Sequence, residues 1–186
     1  EEIDKHSVNP GKQYLEKLMS GLFLGEISRL WICYLRQQNE ILQAVSLENR
    51  FFTERLCFDS SLCTSILLDD SEDLSEIESI LQSFAIQTST KKDREIIHEI
   101  VNMVITRSAR LMGTCLYTVL SHMKENGLSG CVGLDGSVYK FVPGYKARML
   151  RAIKELGMDD VECGIAQNGS IVGSALIASS SSIQYS

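Results

Sequence analysis

"CVGLDGSVYKF", residues 131–141, decides how the C-terminal third of this chain is read. Two β-friendly runs flank Asp135-Gly136, a residue pair typical of two-residue hairpin turns. The pattern predicts a strand over 131–134, a turn, and a second strand over 137–142 ended by Pro143-Gly144. Whether Asp135-Gly136 only turns the chain, or also offers backbone to a ligand, is left open by the pattern.

C-terminal to this stretch, the spacing predicts a helix from Tyr145 to Leu156 that buries Met149, Ile153 and Leu156 and stops at Gly157. A strand over Val161–Ala166 leads through "QNGS" into a small-residue helix, "IVGSALIASSSS". Residues 180–186 read as a tail, frayed or disordered, after a single unit spanning 1–179.

N-terminal to it lies "TSTKKDREIIHEIVNMVITRSARLMGTCLYTVLSHMKENG", which has Ser and Thr cap candidates, no proline and a glycine at its end. It is one helix, or two broken near Ser108 or Gly113. A further helix begins near Asp70-Ser71 and buries Leu74, Ile77, Leu81 and Phe84. From Gln37 to Asp70 the periodicity is weak, with "NRFFTERLCF" a candidate short helix. Asn9-Pro10-Gly11 signals a helix start, Asn as cap and Pro at the first helical position. That helix carries Glu16 and Lys17 and pauses at Ser20-Gly21. The next one aligns Phe23, Ile27, Leu30, Trp31 and Tyr34 on one core-facing stripe, with Glu26 and Arg29 as a weak i,i+3 pair beside it. The order predicts an α/β chain, helix-rich, with a small mixed sheet and no internal repeat.

At 186 residues the chain holds one sizeable core, and 44% apolar with 23% charged residues is ordinary globular composition. A net charge of −6 argues against a nucleic-acid surface, though not against a nucleotide held by backbone N–H groups. The apolar runs are too short for a membrane span, and the N-terminus has no signal-peptide pattern. Six cysteines without Cys-x-x-Cys spacing, and three scattered histidines, point to reduced thiols, mostly in the core of an intracellular protein, and away from zinc. The chain opens "EEIDKHSVNPG" without an initiator Met, as a processed protein or a piece of a longer one would.

Three places can carry chemistry. Taken singly, Glu16 reads as a solvated charge, Ser20-Gly21 as an ordinary helix start, and "GLDGSVYK" and "QNGSIVGSA" as plain turns. Glycine turns at strand ends of an open α/β sheet are also where ligands bind.

Together, "NPGKQYLEKLMSGLFLGEISR", "ITRSARLMG", "VGLDGSVYKFVPGYKARM" and "NGSIVGSALIA" resemble the C-terminal portion of eukaryotic hexokinases, from about Asp4 to about Ser179. The resemblance implies an actin-like ATPase (ribonuclease H-like) lobe, a fragment of a cytoplasmic two-lobe enzyme. That enzyme transfers the γ-phosphate of ATP to the 6-hydroxyl of a hexose such as glucose, the first step of glycolysis. It implies that Glu16 is the hexose-binding carboxylate. Gly21 and Leu22 would lie beside the nucleotide phosphates, and Gly136, Ser137, Val138, Tyr139, Lys140 and Phe141 would border the adenosine. Hexose, ATP/ADP and the N-terminal lobe are the implied partners. Mg2+ would be held mainly through ATP and residues outside the chain.

The family's Gly-rich phosphate loop, catalytic Asp and most sugar-binding residues lie upstream of "NPGKQ", so the 186 residues alone are expected to be inactive. Two departures stand out. Asn168-Gly-Ser-Ile171-Val-Gly replaces Asp-Gly-Ser-Gly-x-Gly, and a β-branched Ile171 is costly if φ is positive there. Thr53 and Glu54 are transposed relative to the family's triphosphate Thr. The altered glycine turn motivates an alternative, a non-catalytic hexokinase-like sugar sensor or scaffold. A third reading, from the residues alone, is a helical interaction module with a small sheet.

Overall fold

The computed structural model describes residues 1–128 and 130–181. In chain order its elements are α1 (Glu2–Lys5), α2 (Tyr14–Met19), α3 (Gly21–Gln37), α4 (Arg50–Thr53), α5 (Ser60–Leu68), α6 (Ser75–Ser83), α7 (Lys91–Glu125), β1 (Val132–Leu134), α8 (Ser137–Phe141), α9 (Tyr145–Glu155), β2 (Cys163–Ile165) and α10 (Gly169–Ser181). α10 extends to Ser181, and residues 182–186 of the expected tail lie outside the described residues.

α7 is the spine. Its 35 residues form one unbroken helix about 50 Å long, so neither Ser108 nor Gly113 breaks it. A capping box starts it: the Asp93 N–H donates to Thr90 Oγ1 at 3.1 Å and the Thr90 N–H donates to Asp93 Oδ2 at 2.8 Å. Asp93 Oδ1 also accepts the Leu42 N–H at 3.0 Å, tying the 38–49 loop to this helix end. Gly113 has a packing reason, because a Cβ there would lie 2.5 Å from the Met149 carbonyl oxygen. Without it α9 could not lie so close along α7.

α3 crosses the body at a second glycine. A Cβ on Gly25 would sit 2.0 Å from the Phe58 carbonyl oxygen. The buried side of α3 is two i,i+4 rows, Leu24-Ser28-Ile32 and Gly25-Arg29-Cys33. The expected stripe is therefore rotated. Ile27 is buried, Phe23 and Leu30 are half-buried, and Trp31 and Tyr34 face outward. The turn of the helix follows from Glu26 and Arg29, which are 2% and 3% exposed rather than beside the core. Arg29 Nε and Nη2 donate to the two Glu26 carboxylate oxygens at 2.7 and 2.6 Å. Its Nη1 donates to the Phe51 carbonyl at 2.9 Å, and Glu26 Oε2 accepts the Leu56 N–H at 2.8 Å. Burial lowers the Arg29 pKa, yet the bonds to Glu26 and the neighbouring negative charge outweigh it and hold the pKa above its ordinary value.

The weakly patterned 37–70 stretch is anchored by aromatic rings. Phe51 meets Phe58 at 5.7 Å and Phe84 at 5.2 Å between centroids, both edge-on. On α6, Ile77, Leu81 and the adjoining Phe84 are buried as expected, while Leu74 is half-buried. On α9, Met149 and Ile153 are buried and Leu156 is exposed.

α2 begins at Tyr14, with Gln13 rather than Asn9 in the cap position. Residues 9–12 form a turn instead, held to α1 because the Gly11 N–H donates to the Asp4 carboxylate and Lys17 Nζ donates to the Asn9 carbonyl at 2.8 Å. Lys17 Nζ also pairs with Asp4 Oδ1 at 2.7 Å, and that bond holds the Asp4 carboxyl below its usual range.

The hairpin expected over 131–142 is absent. β1 stops at Leu134, and residues 137–141 are helical, with the Lys140 N–H donating to the Gly136 carbonyl at 3.2 Å. β1 instead pairs in parallel with β2, Val132 opposite Cys163 and Leu134 opposite Ile165. Gly136 has φ 136° and ψ 150°, an extended left-side conformation that glycine tolerates and that no two-residue hairpin turn uses. The sheet among the described residues is thus a parallel pair joined through α8 and α9, rather than mixed.

The six cysteines are free thiols. Cys33 and Cys63 are buried, and burial pushes them up to about 11 and about 12. Cys57, Cys115 and Cys163 are half-buried and Cys131 is exposed, so the core holds fewer of them than expected. Among the described residues no helix is long and apolar enough to cross a membrane.

Candidate functional site

Two helix starts converge where α3 meets α8. Ser20 caps α3 with an extended backbone, its Oγ accepting the Leu22 N–H at 3.3 Å. The next residue must be small, because a Cβ on Gly21 would lie 2.7 Å from Val138 Cγ2 on α8. Between them opens a cleft of about 630 Å³. Ser20, Gly21 and Leu22 form one wall and Asp135, Gly136, Ser137, Val138 and Tyr139 the other. Asp59 and Ser60 at the start of α5 close one end, and Leu56, Met112, Leu134 and Met149 supply an apolar floor.

The electrostatics of these walls differ. Asp59 caps α5, accepting from the Ser61 N–H at 2.7 Å and the Ser61 hydroxyl at 2.5 Å, bonds that hold its pKa below the usual carboxylate range. Its charge therefore neutralises the positive end of α5. α3 has only a neutral hydroxyl as cap and no acidic residue in its first turn. Its positive dipole end is left to meet an anion.

The structure gathers Gly21, Leu22, Gly136, Ser137, Val138 and Tyr139 around this one cleft. Lys140 turns back to pair with Asp135 at 2.6 Å. Phe141 is exposed and borders a smaller pocket of about 280 Å³ with Ser60, Thr64 and Val142. Glu16 stands exposed on α2, one turn before Ser20, whose N–H donates to the Glu16 carbonyl at 2.7 Å. Thr53 is outside the cleft lining and donates to the Asn49 carbonyl at 3.3 Å.

Ile171 lies within α10 and carries no positive φ; the left-handed residue is Asn168, at φ 52°. Asn adopts that conformation more readily than most side chains, so the strain expected at Ile171 is absent. The same turn approaches the cleft rim, since a Cβ on Gly169 would come within 4.0 Å of Asp135 Cβ.

Sequence reasoning missed Asp59, Ser60, Tyr145 and the methionines Met19, Met112 and Met149. Asp59-Ser60 carries a legible helix-start signal, whereas Tyr145, Met112 and Met149 reach the cleft only through the packing of α7 on α9. Among the described residues no group of three or more His, Cys, Asp or Glu side chains could hold a metal ion. The Tyr139 hydroxyl is buried without a hydrogen-bond partner among the described residues.

The family profile described as hexokinase matches residues 1–180. Hexokinase-1 of Schizosaccharomyces pombe is 31% identical over 182 residues, covering 95% of this chain and 36% of that protein. Hexokinase-2 of Rattus norvegicus is 34% identical over 184 residues, covering 95% and 19%. Among solved structures, the hexokinase from Schistosoma mansoni complexed with glucose superposes with a TM-score of 0.76 at 27% identity, over 89% of this chain and 36% of that one. A second hexokinase crystal structure gives a TM-score of 0.71 at 24% identity and supports the fold alone. The fold is that of the actin-like ATPases, and the chain spans only part of the relatives it matches, 36% of the S. pombe protein and 19% of the rat one.

Proposed function

Because the chain belongs to the hexokinase family, we propose that it is the C-terminal, large-lobe portion of an ATP-dependent hexokinase acting on a hexose such as glucose. The observation that carries this reading is the single cleft that unites Gly21 and Leu22 with Gly136–Tyr139, residues far apart in sequence. The start of α3 receives the nucleotide phosphates. Gly21 lets backbone approach them closely, and Gly136–Tyr139 with the apolar floor border the adenosine. Glu16, as a carboxylate, accepts hydrogen bonds from two hexose hydroxyls, and its charge strengthens both. Lys140 and Phe141 border the adenosine side from outside the cleft lining. The base that takes the 6-hydroxyl proton lies in the remaining lobe; Mg2+ would be held mainly through ATP and residues outside this chain, and would offset phosphate charge. Within this chain the contribution is positioning and electrostatics.

The altered Asn168–Gly173 turn motivates the sensor alternative; the helical placement of Ile171 removes the backbone strain from that motive, and the exchange of Asp for Asn168 remains. The test is Glu16→Ala in the full-length protein. Loss of a charge-assisted bond pair is expected to weaken hexose affinity by about 10- to 100-fold with nucleotide affinity little changed. Unaltered hexose binding by calorimetry would overturn the assignment.

A further inference from the structure

The α2–α3 junction carries both proposed binding elements: Glu16 on one side, and Gly21 with Leu22 on the other. α2 is only six residues long and ends in carbonyls that no following turn can satisfy. Two consecutive residues of α7 take them up. Arg107 Nη2 donates to the Leu18 carbonyl at 3.4 Å, and Ser108 Oγ donates to the Met19 carbonyl at 3.1 Å. Ser108 is completely buried and mid-helix, a position where a serine hydroxyl ordinarily donates back to the carbonyl four residues earlier. Here a second hydroxyl stands against it. Tyr145, at the start of α9 and lining the cleft, has its phenol oxygen 2.9 Å from Ser108 Oγ. With its one proton given to Met19, Ser108 is the acceptor of the Tyr145 O–H.

We propose that Tyr145 and Ser108 are positioning residues, a buried relay from the nucleotide cleft through the Met19 carbonyl that fixes the Glu16 helix relative to the start of α3. The inference rests on the function proposed above. The Tyr145 hydroxyl occupies the acceptor side of Ser108 and so directs its proton to Met19. When the phenol is removed, Ser108 is free to turn back onto its own helix, and the junction loses its tie.

The experiment is steady-state kinetics and thermal melting of the full-length protein with Tyr145→Phe, Ser108→Ala and the two combined. Tyr145→Phe keeps the ring and the packing. It is expected to raise the hexose KM and lower kcat, together cutting kcat/KM by about three- to ten-fold, the scale of one buried hydrogen bond. Ser108→Ala should do at least as much, and the combination no more than Ser108→Ala alone, because the relay fails at either link. Wild-type KM and kcat in Tyr145→Phe, whatever its Tm, overturn the inference, since a hydroxyl that only supports the core moves Tm alone. Additive effects of the two substitutions overturn it as well. An active wild type with kinetically silent variants sinks only the relay, while a wild type without hexose-dependent ATP turnover sinks the function beneath it too.

Discussion

In α3, Glu26 and Arg29 are 2% and 3% exposed, whereas in α10 Leu176 and Ile177 are 64% and 70% exposed. Hydropathy alone would rank these pairs the other way round. The charges are buried because each polar atom has a named partner: the two forks face each other, and the Phe51 carbonyl and Leu56 N–H complete them. Leu176 and Ile177 of α10 stand exposed, outside the buried core. Polarity alone does not decide burial in this molecule; for the charges of α3 it decides what kind of partner burial needs.

The largest test of that contrast is Arg29→Ala. It leaves a buried carboxylate without its counter-charge, holding only the Leu56 N–H, and should cost about 3–5 kcal/mol in urea denaturation. A loss below about 1 kcal/mol, the scale of an exposed pair, would show that Glu26 and Arg29 behave as surface charges and break the comparison. Next come two identical substitutions with opposite expected signs. Gly25→Ala drives a methyl to 2.0 Å from the Phe58 carbonyl, and displacing α3 should cost about 1–3 kcal/mol or more. Gly173→Ala meets nothing within 4 Å inside a helix, and should stabilise α10 by up to about 1 kcal/mol, seen as increased helicity in circular dichroism. Equal signs would mean that the two regions are packed alike. The smallest effect is expected from Leu176→Ser, within about 0.5 kcal/mol of the parent chain, the size of a surface change. A cost comparable with a core truncation would reveal that α10 is packed after all.

The same rule sorts what was legible. α9 and α6 were readable because their apolar spacing coincides with the faces they bury, at Met149 and Ile153 and at Ile77 and Leu81. The rotation of α3 was not, since its inner face includes Ser28, Arg29 and a glycine, residues that periodicity scores as outward. The Asp135-Gly136 turn misled for a different reason. Local turn chemistry suits a hairpin, but β1 finds its partner in β2, roughly thirty residues on, and that pairing leaves residues 137–141 free to be helical. In the cleft, Gly21 and Gly136–Tyr139 were named from resemblance to a family. Asp59, Ser60 and Tyr145 were not, because they enter it through α5 and α9.

The sequence by itself determined the helix-rich character, the position of most helices, the family resemblance and the glycines at the two walls of the cleft. These are properties of spacing and of residues whose backbone freedom is local. Tertiary structure alone decided which face of α3 is inside, that β1 and β2 run parallel, and that Ser108 and Tyr145 reach the α2–α3 junction. Each of those depends on a partner distant in the chain, and the energy that selects it exists only once the partner is in place.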